Sequence, residues 1–586
     1  MRFGTRVRVL VVTVASLVPV VAAPTAIAGS AAVDLSASVG TTTYGDPVTL
    51  SGAATGDPDC SSGRAVDLQW RASGASGFAP IASGTTGANG GFSFEYSPAN
   101  TGRFRAVLPA AGACLETTSD EVVVRVKVLV DASLASGSSE AGSCVDVFVS
   151  VSPAKPGQSV ELQRRFAGAW STTESVPLNG DGDGRAEPCL GWDDVGVARF
   201  RLRWVPQDSL NEQGTSPTLA LQVTKAGWMT RIDEVVGGRA VSVSVSEEDA
   251  SLYRRSDEKP RTPASNEKLL LAMAVLDTFG PDHRIRTRAA ATAFADGVVD
   301  GDLWILGHGD PLVGPSSLGD LADALVAGGL TRVTGSAMGS TGFFRRDWDA
   351  PGWNEVARDY VNRPTALSFA GNSVPDPERE AARSLTKHLE KRGVAVGGRP
   401  GAGTPPKGLT DVAAVESKPL TVLLAKMLRP SWNFAAEVLG KGLGAEVRGA
   451  PGTIAKGAGT IEAWAAQRGV DFSLFDNSGL SYDNRVTAGG IVELLAQAED
   501  EDWGDELRQA LPTGGQGTLE DRLHDVQVRA KTGSLTDVSA LSGWVFAERP
   551  GAWIEFSILC AGLPKTTASN IEDQIVRILQ NNAGSP

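Results

Sequence analysis

The sequence predicts a multidomain protein in which two β-sandwiches of immunoglobulin type precede a mixed α/β domain. The chain has 586 residues, too many for a single hydrophobic core. Its first third contains short segments with the alternating polarity of half-buried strands, such as Val66–Trp70 and Phe92–Tyr96. Beyond Ala226 the pattern changes to longer apolar runs with helical spacing, of which Leu269–Phe279 is the first.

Residues 1–28 have the pattern of a secretory signal peptide. Arginines near the start precede the apolar run Val9–Ala23, and Ala26–Ala28 supplies the small residues of a cleavage site. The alternative is an uncleaved membrane anchor, because the apolar run is nearly long enough to span a bilayer. We expect cleavage, and a protein secreted across the cytoplasmic membrane to an extracellular, cell-wall or periplasmic location.

The two sandwiches are predicted at residues 29–127 and 128–225. In the second, Ser143–Val149 and Val160–Gln163 alternate as strands do, with turn residues between them. Both segments resemble bacterial immunoglobulin-like modules, loosely and without a diagnostic motif. They would serve as spacers, or as binding modules for a wall or protein partner that the sequence does not identify.

The five cysteines fit an oxidising compartment. The simplest pairing is one bridge within each module, Cys60 with Cys114 and Cys144 with Cys189, although spacing does not establish connectivity. Cys560 lies in an apolar strand-like run, and we expect it to be buried and unpaired.

Composition argues against several functions. A net charge of −14 disfavours nucleic acid and an electrostatic hold on anionic lipid. None of the four histidines lies at metal-binding spacing from another potential ligand, so we expect no metal and no cofactor. A Ser-His-Asp hydrolase stays open, but no G-x-S-x-G motif is present.

The region beyond residue 226 predicts helices and strands in mixed order rather than regular βαβ repeats, which favours an antiparallel sheet. The predicted helices are Leu269–Phe279, Ser316–Gly328, Asp376–Arg392, Leu420–Leu428, Phe434–Leu443 and Ser569–Asn581, and the clearest strands are Val538–Phe546 and Trp553–Cys560.

Serine and lysine three residues apart suggest a nucleophile with its own base, because a lysine of lowered pKa can take the serine proton. The pattern occurs at Ser152–Lys155, Ser256–Lys259, Ser265–Lys268 and Ser384–Lys387. Only Ser265–Lys268 opens a strongly apolar helix, where both side chains share one face. The other three lie in a proline-containing turn, a charged loop and a charged surface helix. A helix-capping serine followed by a surface lysine is the plain alternative for Ser265.

Two further motifs follow in order. The SxN pattern occurs at Ser209–Asn211 and Ser431–Asn433, and the second copy precedes an apolar helix, where Ser431 would also serve as an ordinary N-cap. The KTG pattern occurs once, at Lys531–Gly533, between a polar and an apolar strand. The lysine offers positive charge to a substrate carboxylate, and Gly533 lets substrate lie close to the strand. The order SxxK, SxN, KTG is typical of active-site serine enzymes that act on penicillin and D-alanyl-D-alanine peptides.

With these motifs, residues 228–586 resemble the low-molecular-mass class C penicillin-binding proteins, the D-alanyl-D-alanine carboxypeptidase/endopeptidase family. The resemblance also includes Thr262–Leu270, Gly301–Pro311, Asp476–Ser481 and Gly517–Leu519 with Arg522. It implies an α/β serine transpeptidase/β-lactamase-like catalytic domain at residues 226–290 and 417–586, with an inserted domain at 291–416.

The resemblance also implies roles for single residues. Ser265 would attack the carbonyl between two D-alanines with Lys268 as base, while Ser431 and Asn433 would relay protons and hold the peptide. The remaining roles concern substrate binding: Lys531, Thr532, Gly533 and Ser534 at the terminal carboxylate, the backbone N–H groups of Ser265 and Ser534 as oxyanion hole, and Ser478 and Leu480 lining the acyl pocket.

The predicted function is therefore a serine D-alanyl-D-alanine carboxypeptidase, with D,D-endopeptidase activity as a second activity. It would act on peptidoglycan stem peptides through an acyl-enzyme that penicillins also form. The alternatives are a β-lactamase and a non-catalytic cell-wall-binding protein. Two departures from the family concern the site: the interval from Ser265 to Ser431 is too short for the family's domain within a domain, and the bulky Trp432 occupies the middle of SxN.

Overall fold

The computed structural model describes residues 29–248, 250–549 and 551–582, so the predicted signal peptide lies outside the described residues. The described chain divides into two compact units. Unit 1 comprises the described residues up to Ala135 together with Asp146–Glu187 and Arg199–Ala220. Unit 2 comprises Ser136–Val145, Pro188–Ala198 and the chain from Leu221 onward.

The described chain up to Thr224, which includes unit 1 and the first segments of unit 2, consists almost entirely of β-strands. The elements between Ala31 and Thr224 are β1 (Ala31–Val33), β2 (Ser36–Ala37), β3 (Thr41–Thr43), β4 (Val48–Gly56), α1 (Pro58–Ser61), β5 (Ala65–Ala72), β6 (Ala79–Thr85), β7 (Gly91–Tyr96), β8 (Gly102–Leu108), β9 (Thr117–Thr118), β10 (Val122–Lys127), β11 (Leu129–Leu134), β12 (Ser138–Glu140), β13 (Val147–Ser152), β14 (Ser159–Phe166), β15 (Ala169–Pro177), β16 (Asp183–Ala186), β17 (Gly196–Trp204), β18 (Gly214–Thr215) and β19 (Leu219–Thr224).

These strands form several mostly antiparallel sheets. One sheet has the order β1-β4-β2 with β7 also on β4, and a second has the order β3-β10-β8-β5-β6. Further along, β13 lies between β11 and β16, and β14 lies between β15 and β17, with Glu161 opposite Arg203. Alternate side chains such as Leu50, Leu68 and Phe104 are fully buried, as the alternating sequence pattern predicts.

Both expected disulfides are present. Cys60 is bonded to Cys114 and Cys144 to Cys189, while Cys560 is a free, buried cysteine. The pairing that the sequence left unproved is therefore the simplest one, with sequence separations of 54 and 45 residues.

Unit 2 contains the longer helices. Its elements from Gly227 are α2 (Gly227–Val236), β20 (Val241–Glu247), β21 (Ala250–Arg255), α3 (Glu267–Phe279), β22 (Arg286–Ala291), β23 (Phe294–Ala295), β24 (Val298–Val299), β25 (Leu303–Leu306), α4 (Pro315–Ala327), β26 (Arg332–Val333), β27 (Ala337–Ser340), α5 (Pro377–Lys391), β28 (Ala395–Val396), β29 (Gly401–Gly403), β30 (Thr410–Glu416), α6 (Leu420–Leu428), α7 (Asn433–Arg448), α8 (Ile454–Gln467), α9 (Ala488–Glu499), α10 (Gly504–Ala510), β31 (Val528–Leu535), β32 (Val538–Ala547), β33 (Ala552–Ala561) and α11 (Lys565–Asn582).

The principal sheet of unit 2 is antiparallel, as predicted, with the order β21-β20-β33-β32-β31. Helices α9 and α11 pack against it, and α3 lies among α6, α7 and α8. The N-terminal half of α3 is fully buried from Glu267 through Ala274, which explains why its sequence is apolar on every face.

A second sheet in unit 2, with the order β29-β27-β25-β22-β30, uses residues between Arg286 and Glu416. Helices α4 and α5 pack on it around a core that includes Ile305, Leu321 and Leu385. The chain passes from a 3₁₀ turn at Ala370–Asn372 almost directly to α5, whose N-cap is Asp376. No further domain intervenes at this point.

The sequence located six of the helices that the structure describes in unit 2 and missed four. Helix α6 has the predicted ends, and the other five differ from the prediction at one or both ends. The missed helices are α2, α8, α9 and α10. In the described residues, no helix combines the length and the apolar character needed to cross a membrane.

Glycines let α7 and α8 approach each other closely. A Cβ on Gly444 would lie 2.6 Å from the backbone nitrogen of Gly457 on α8, and a Cβ on Gly440 would overlap Asn477. Gly442, in the same helix, has open space, with no atom closer than 3.9 Å to its Cβ position. Since α7 begins at Asn433, this close packing fixes the position of one of the site residues.

We expect Gly444→Ala to lower the free energy of unfolding by about 1–3 kcal/mol, because the added methyl overpacks the contact between α7 and α8. Gly442→Ala is the matched control. It should raise the free energy of unfolding by about 0.5–1 kcal/mol, because alanine loses less backbone entropy on folding than glycine does. Urea denaturation followed by tryptophan fluorescence measures both. Equal effects of the two substitutions would contradict the packing argument.

Candidate active site

Ser265 lies in a 3₁₀ turn, Ala264–Asn266, that leads directly into α3. Ala264 is fully buried with a φ of 46°, a conformation that a non-glycine residue adopts only under strong constraint. The facing loop supplies that constraint, because Gly479, at φ 79°, approaches the Ala264 carbonyl so closely that no Cβ would fit. Ser265 itself is half-buried, and it is not the N-cap of α3, which is Asn266.

Lys268 is fully buried one turn beyond Ser265, and its ammonium nitrogen has three oxygen partners. Nζ lies 2.9 Å from Ser265 Oγ, 2.7 Å from Asn433 Oδ1 and 2.5 Å from the Ser478 carbonyl oxygen. The amide oxygen and the carbonyl can only accept hydrogen bonds, whereas a hydroxyl can donate or accept. The protonation state of Lys268 therefore decides the direction of its bond to Ser265.

Burial lowers the pKa of Lys268 from 10.5 to about 8, against the opposing charges of Asp476, Glu437 and Glu267. A neutral amine is thus accessible near neutral pH. In that state two N–H groups bond Asn433 and Ser478, and the lone pair faces the Ser265 hydroxyl.

The structure brings Ser431 and Asn433 to the same place from the start of α7. Ser431 has φ 58° and its Oγ accepts a hydrogen bond from Lys531 at 2.9 Å. Asn433 is the first residue of α7, and its Nδ2 donates to the Tyr360 carbonyl at 3.0 Å. The N-cap is Trp432, with no side-chain capping bond, so the alternative of Ser431 as an N-cap is wrong.

Lys531 is fully buried on β31 and donates to Ser431 Oγ and, at 2.7 Å, to the Thr532 carbonyl. Thr532 Oγ1 bonds Thr518 Oγ1 at 2.7 Å, which ties the KTG strand to Gly517–Leu519. Ser534, two residues further on, is exposed.

The structure gives a different reason for glycine at position 533 from the one that the sequence suggested. Its Cβ position lies 2.7 Å from the Pro263 carbonyl and 3.2 Å from Ala264 Cβ. The glycine is required because the nucleophile turn packs against β31 there.

The pKa of Lys531 is well below its usual value, first because of burial and then because of the nearby charges of Lys268 and Lys565. No acidic side chain among the described residues pairs with it directly. An anion that arrives beside Lys531 would raise this pKa again and favour the ammonium.

Ser478 and Leu480 are buried in the loop that follows Asp476. The Ser478 hydroxyl donates to Asp476 Oδ2 at 3.2 Å, and the Leu480 N–H donates to the same oxygen at 2.8 Å. Ser478 reaches the site through its carbonyl oxygen, which accepts from Lys268. The Asp476 carboxylate also accepts hydrogen bonds from the backbone N–H groups of Gly479 and Ser481, so this single carboxylate holds the loop in its conformation.

The other copies of the serine–lysine pattern do not assemble a comparable site. In unit 1, Lys155 meets Asn211 at 2.8 Å, but it also pairs with Asp208 at 2.8 Å, so a carboxylate neutralises its charge. Ser384 and Lys387 lie on α5, where Lys387 is exposed, whereas Lys268 is fully buried.

Comparison with known proteins identifies the family. The model of the D-Ala-D-Ala carboxypeptidase 3 (S13) family matches residues 230–374 and 362–582, which together make up more than half of the chain. The chain belongs to this family. The S13 proteins are serine peptidases, and the resemblance inferred from the motifs is confirmed.

Three similar relatives carry corresponding names. A D-alanyl-D-alanine carboxypeptidase of Actinomadura sp. strain R39 is 29% identical over 447 residues, covering 60% of this chain and 82% of the relative. A Mycobacterium tuberculosis carboxypeptidase is 29% identical over 378 residues, with coverages of 58% and 80%. Carboxypeptidase DacB of Mycolicibacterium smegmatis is 29% identical over 368 residues, with coverages of 57% and 78%. The alignment with the Actinomadura protein extends over 447 positions, which is more than the number of residues in the 60% of this chain that it covers. The relative therefore has segments without a counterpart here.

Solved structures show the same fold. Penicillin-binding protein 4 (dacB) of Haemophilus influenzae matches with a TM-score of 0.52 at 19% identity, covering 60% of this chain and 99% of the other. Its complex with a β-lactam matches with a TM-score of 0.50 at 18% identity. The predicted penicillin-binding fold of the S13 region is confirmed.

Sequence reasoning missed a buried acidic cluster under the S13 site. Glu267, Glu437 and Asp476 are all fully buried around Lys268. Burial, reinforced by the charges of the other two carboxylates, raises the pKa of Glu267 well above its usual value, and burial raises that of Glu437 to about 7. Glu437 accepts from Asn477 Nδ2 at 2.8 Å, and Glu267 accepts from Asn484 Nδ2. The signal was present, since Glu267 lies beside Lys268 in an otherwise apolar run.

The pH dependence of acylation should follow Lys268. We expect the rate constant for acylation by a fluorescent penicillin to rise with pH and level off above about 8, because only the neutral amine accepts the Ser265 proton. Lys268→Arg should be inactive at every pH, since a guanidinium does not deprotonate. Stopped-flow fluorescence measures the rate. A profile that inflects near the ordinary lysine pKa of 10.5 would contradict this assignment.

Glu267 should tolerate an uncharged isostere. The raised pKa of Glu267 favours its neutral form, and Glu267→Gln keeps the acceptor for Asn484, so this substitution should change the acylation rate by less than about threefold. Glu267→Leu removes that acceptor and should cost about 1–3 kcal/mol of stability. A large loss of activity in Glu267→Gln, at unchanged stability, would show that the carboxylate is ionised.

Proposed function

We propose that Ser265 is the nucleophile of a serine D-alanyl-D-alanine carboxypeptidase and that Lys268 is its general base. The observation that carries this proposal is the set of three partners of Lys268. Two acceptors that cannot donate hold two N–H groups of the neutral amine, so its lone pair faces Ser265 Oγ at 2.9 Å. A base fixed in this way takes the serine proton as the hydroxyl oxygen attacks the carbonyl.

The terminal carboxylate of the substrate would bind at β31. Lys531, Thr532 and Ser534 supply an ammonium and two hydroxyls beside Ser265, and Gly533 holds this strand against the nucleophile turn. The incoming carboxylate would restore the charge of Lys531 by raising its lowered pKa. This accounts for a lysine that is buried without an acidic partner.

Ser431 and Asn433 would connect the two lysines to the scissile bond. Ser431 Oγ accepts from Lys531, and Asn433 Oδ1 accepts from Lys268, so the start of α7 bridges base and carboxylate site. In this proposal Ser431 transfers a proton to the leaving amine, and Asn433 aligns the peptide.

Backbone groups would stabilise the tetrahedral intermediates that precede and follow the acyl-enzyme. The N–H groups of Ser265 and Ser534 form the proposed oxyanion hole, in which each donor is typically worth about 2.7–4 kcal/mol. Ser478 and Leu480 would line the acyl pocket, with Ser478 acting through its backbone because its hydroxyl is bonded to Asp476. Water then releases the acyl group of a stem peptide, with D,D-endopeptidase cleavage of cross-links as the second proposed activity.

The non-enzymatic alternative loses its support, because the chain belongs to a family of serine carboxypeptidases. A β-lactamase would need a base that deacylates penicillin quickly. Among the described residues, no carboxylate hydrogen-bonds Ser265, which favours a penicillin-sensitive carboxypeptidase.

We also propose the organisation of the rest of the chain. Residues 1–28 would direct export, after which the enzyme acts on the cell wall outside the cytoplasm. Residues 29–127 and 128–225 would be immunoglobulin-like modules, supported by their mostly antiparallel sheets, buried alternating side chains and one disulfide each. The catalytic domain would comprise 226–290 and 417–586 around the insertion at 291–416.

The central test is a comparison of two serines. In Ser265→Ala, labelling by a fluorescent penicillin and release of D-alanine from a pentapeptide substrate should both fall by about 10⁴-fold or more, because the nucleophile is gone. Ser384→Ala, in another copy of the same sequence pattern, should keep both activities. Gel fluorescence and mass spectrometry of the peptide products measure the two activities.

Penicillin labelling that persists in folded Ser265→Ala would refute the assignment of Ser265 as the nucleophile. Rapid turnover of a chromogenic cephalosporin by the wild type, without release of D-alanine, would favour the β-lactamase instead.

A further inference from the structure

A second cavity lies at the far ends of the two helices that carry the site. It has a volume of about 460 Å³, within the range of small-molecule sites. Its apolar floor comes from Val275 near the C-terminus of α3 and from Leu439 and Leu443 of α7. Its opposite wall is formed by the sheet of residues 286–416 and its flanking segments, including Arg286, Arg288 and His308.

The charge in this cavity is predominantly positive. Arg284, Arg286 and Arg288 contribute to the lining, against one acidic side chain, Glu446. Arg288 pairs with Asp411 at 3.0 Å, and its Nη2 lies 3.3 Å from His308 Nε2. Within the described chain, the Arg286 guanidinium has no hydrogen-bond or ion-pair partner. One cationic group at an apolar cavity is therefore available to a ligand.

We propose that this cavity binds an organic anion with an apolar body and that its occupancy changes the rate of acylation at Ser265. The apolar part would displace water from Val275, Leu439 and Leu443, while the carboxylate or sulfonate would pair with Arg286. Neither the family nor the proposed reaction requires such a site.

The coupling to the active site follows from the helices. Lys268 lies in the first turn of α3 and Asn433 is the first residue of α7, and these two side chains bond each other at 2.7 Å. The cavity contacts the same helices in their later turns, as well as the inserted sheet. A ligand that binds all three elements would favour one spacing of α3 and α7 and thereby bias the geometry of Lys268 and Asn433.

The chain offers two independent ways to remove the site. Arg286→Gln removes the free charge without breaking any ion pair in the described structure. Gly442→Leu fills the space while keeping every charge, because the Cβ position of Gly442 has no neighbour closer than 3.9 Å and the residue lines the cavity. Arg332→Gln is the matched control, since Arg332 is an exposed arginine on β26, away from the cavity.

The binding experiment uses the full chain and anilinonaphthalene sulfonate, a fluorescent aromatic anion. We expect saturable binding that decanoate displaces and decyltrimethylammonium, with the same tail and opposite charge, does not. Arg286→Gln and Gly442→Leu should each weaken binding at least tenfold, and Arg332→Gln should not. Circular dichroism melts confirm that each variant is folded. Absence of saturable binding, or binding unaffected by both cavity variants, would overturn the proposal.

The second measurement is the rate of penicillin acylation at saturating decanoate. We expect at least a twofold change in the wild type and in Arg332→Gln, and none in Gly442→Leu. An unchanged wild-type rate, with decanoate bound, would overturn the coupling to the active site. The binding measurement requires no catalysis, so its failure is distinguishable from failure of the proposed carboxypeptidase function.

Discussion

The burial of the Lys268 ammonium group is the constraint on which the rest of the S13 site depends. With its pKa lowered to about 8, the charged form costs about 3 kcal/mol more than it does in water. Three oxygen partners and the surrounding carboxyl groups offset part of the cost that full exclusion from water would impose. Lys155, by contrast, has a direct carboxylate partner in Asp208 at 2.8 Å.

The partners of Lys268 come from three distant segments, so the fold must bring their backbones unusually close. Glycines make this possible at each junction. Gly479 admits the Ala264 carbonyl, Gly533 admits Pro263, and Gly440 admits Asn477 of the loop that carries Ser478. A side chain at any of these positions would separate the nucleophile turn, the KTG strand or α7 from the others. The site is thus held together by tight packing at these three glycines, where no Cβ would fit without movement of a neighbour.

The sequence predicted which side chains meet at the candidate site, but it did not predict the acidic groups buried beneath them. Ser265, Lys268, Ser431, Asn433 and Lys531 were predicted from fixed residue types at fixed spacing, and the structure brings these five residues together. Helices α8 and α9 were missed because Ile454–Gln467 and Ala488–Glu499 contain glycines that lower helix propensity, which tertiary packing then overrides. The role of Gly533 was misjudged because its neighbour, Pro263, is distant in sequence. The partnership of Lys268 with Glu267, Glu437 and Asp476 likewise depends on long-range folding.

The segment between residues 343 and 372 helps to hold the candidate site together. Fully buried Lys441 of α7 donates to the Arg345 carbonyl at 2.7 Å and to Asp347 Oδ1 at 2.6 Å, and burial lowers its pKa against the attraction of Asp347. The segment then returns to the site: Trp353 Nε1 donates to Asp476 at 2.8 Å, and the Tyr360 carbonyl accepts from Asn433. The bonds of Trp353 and Tyr360 end on Asp476, which holds the loop of Ser478, and on Asn433, which contacts Lys268. The segment is therefore part of the framework of the candidate active site.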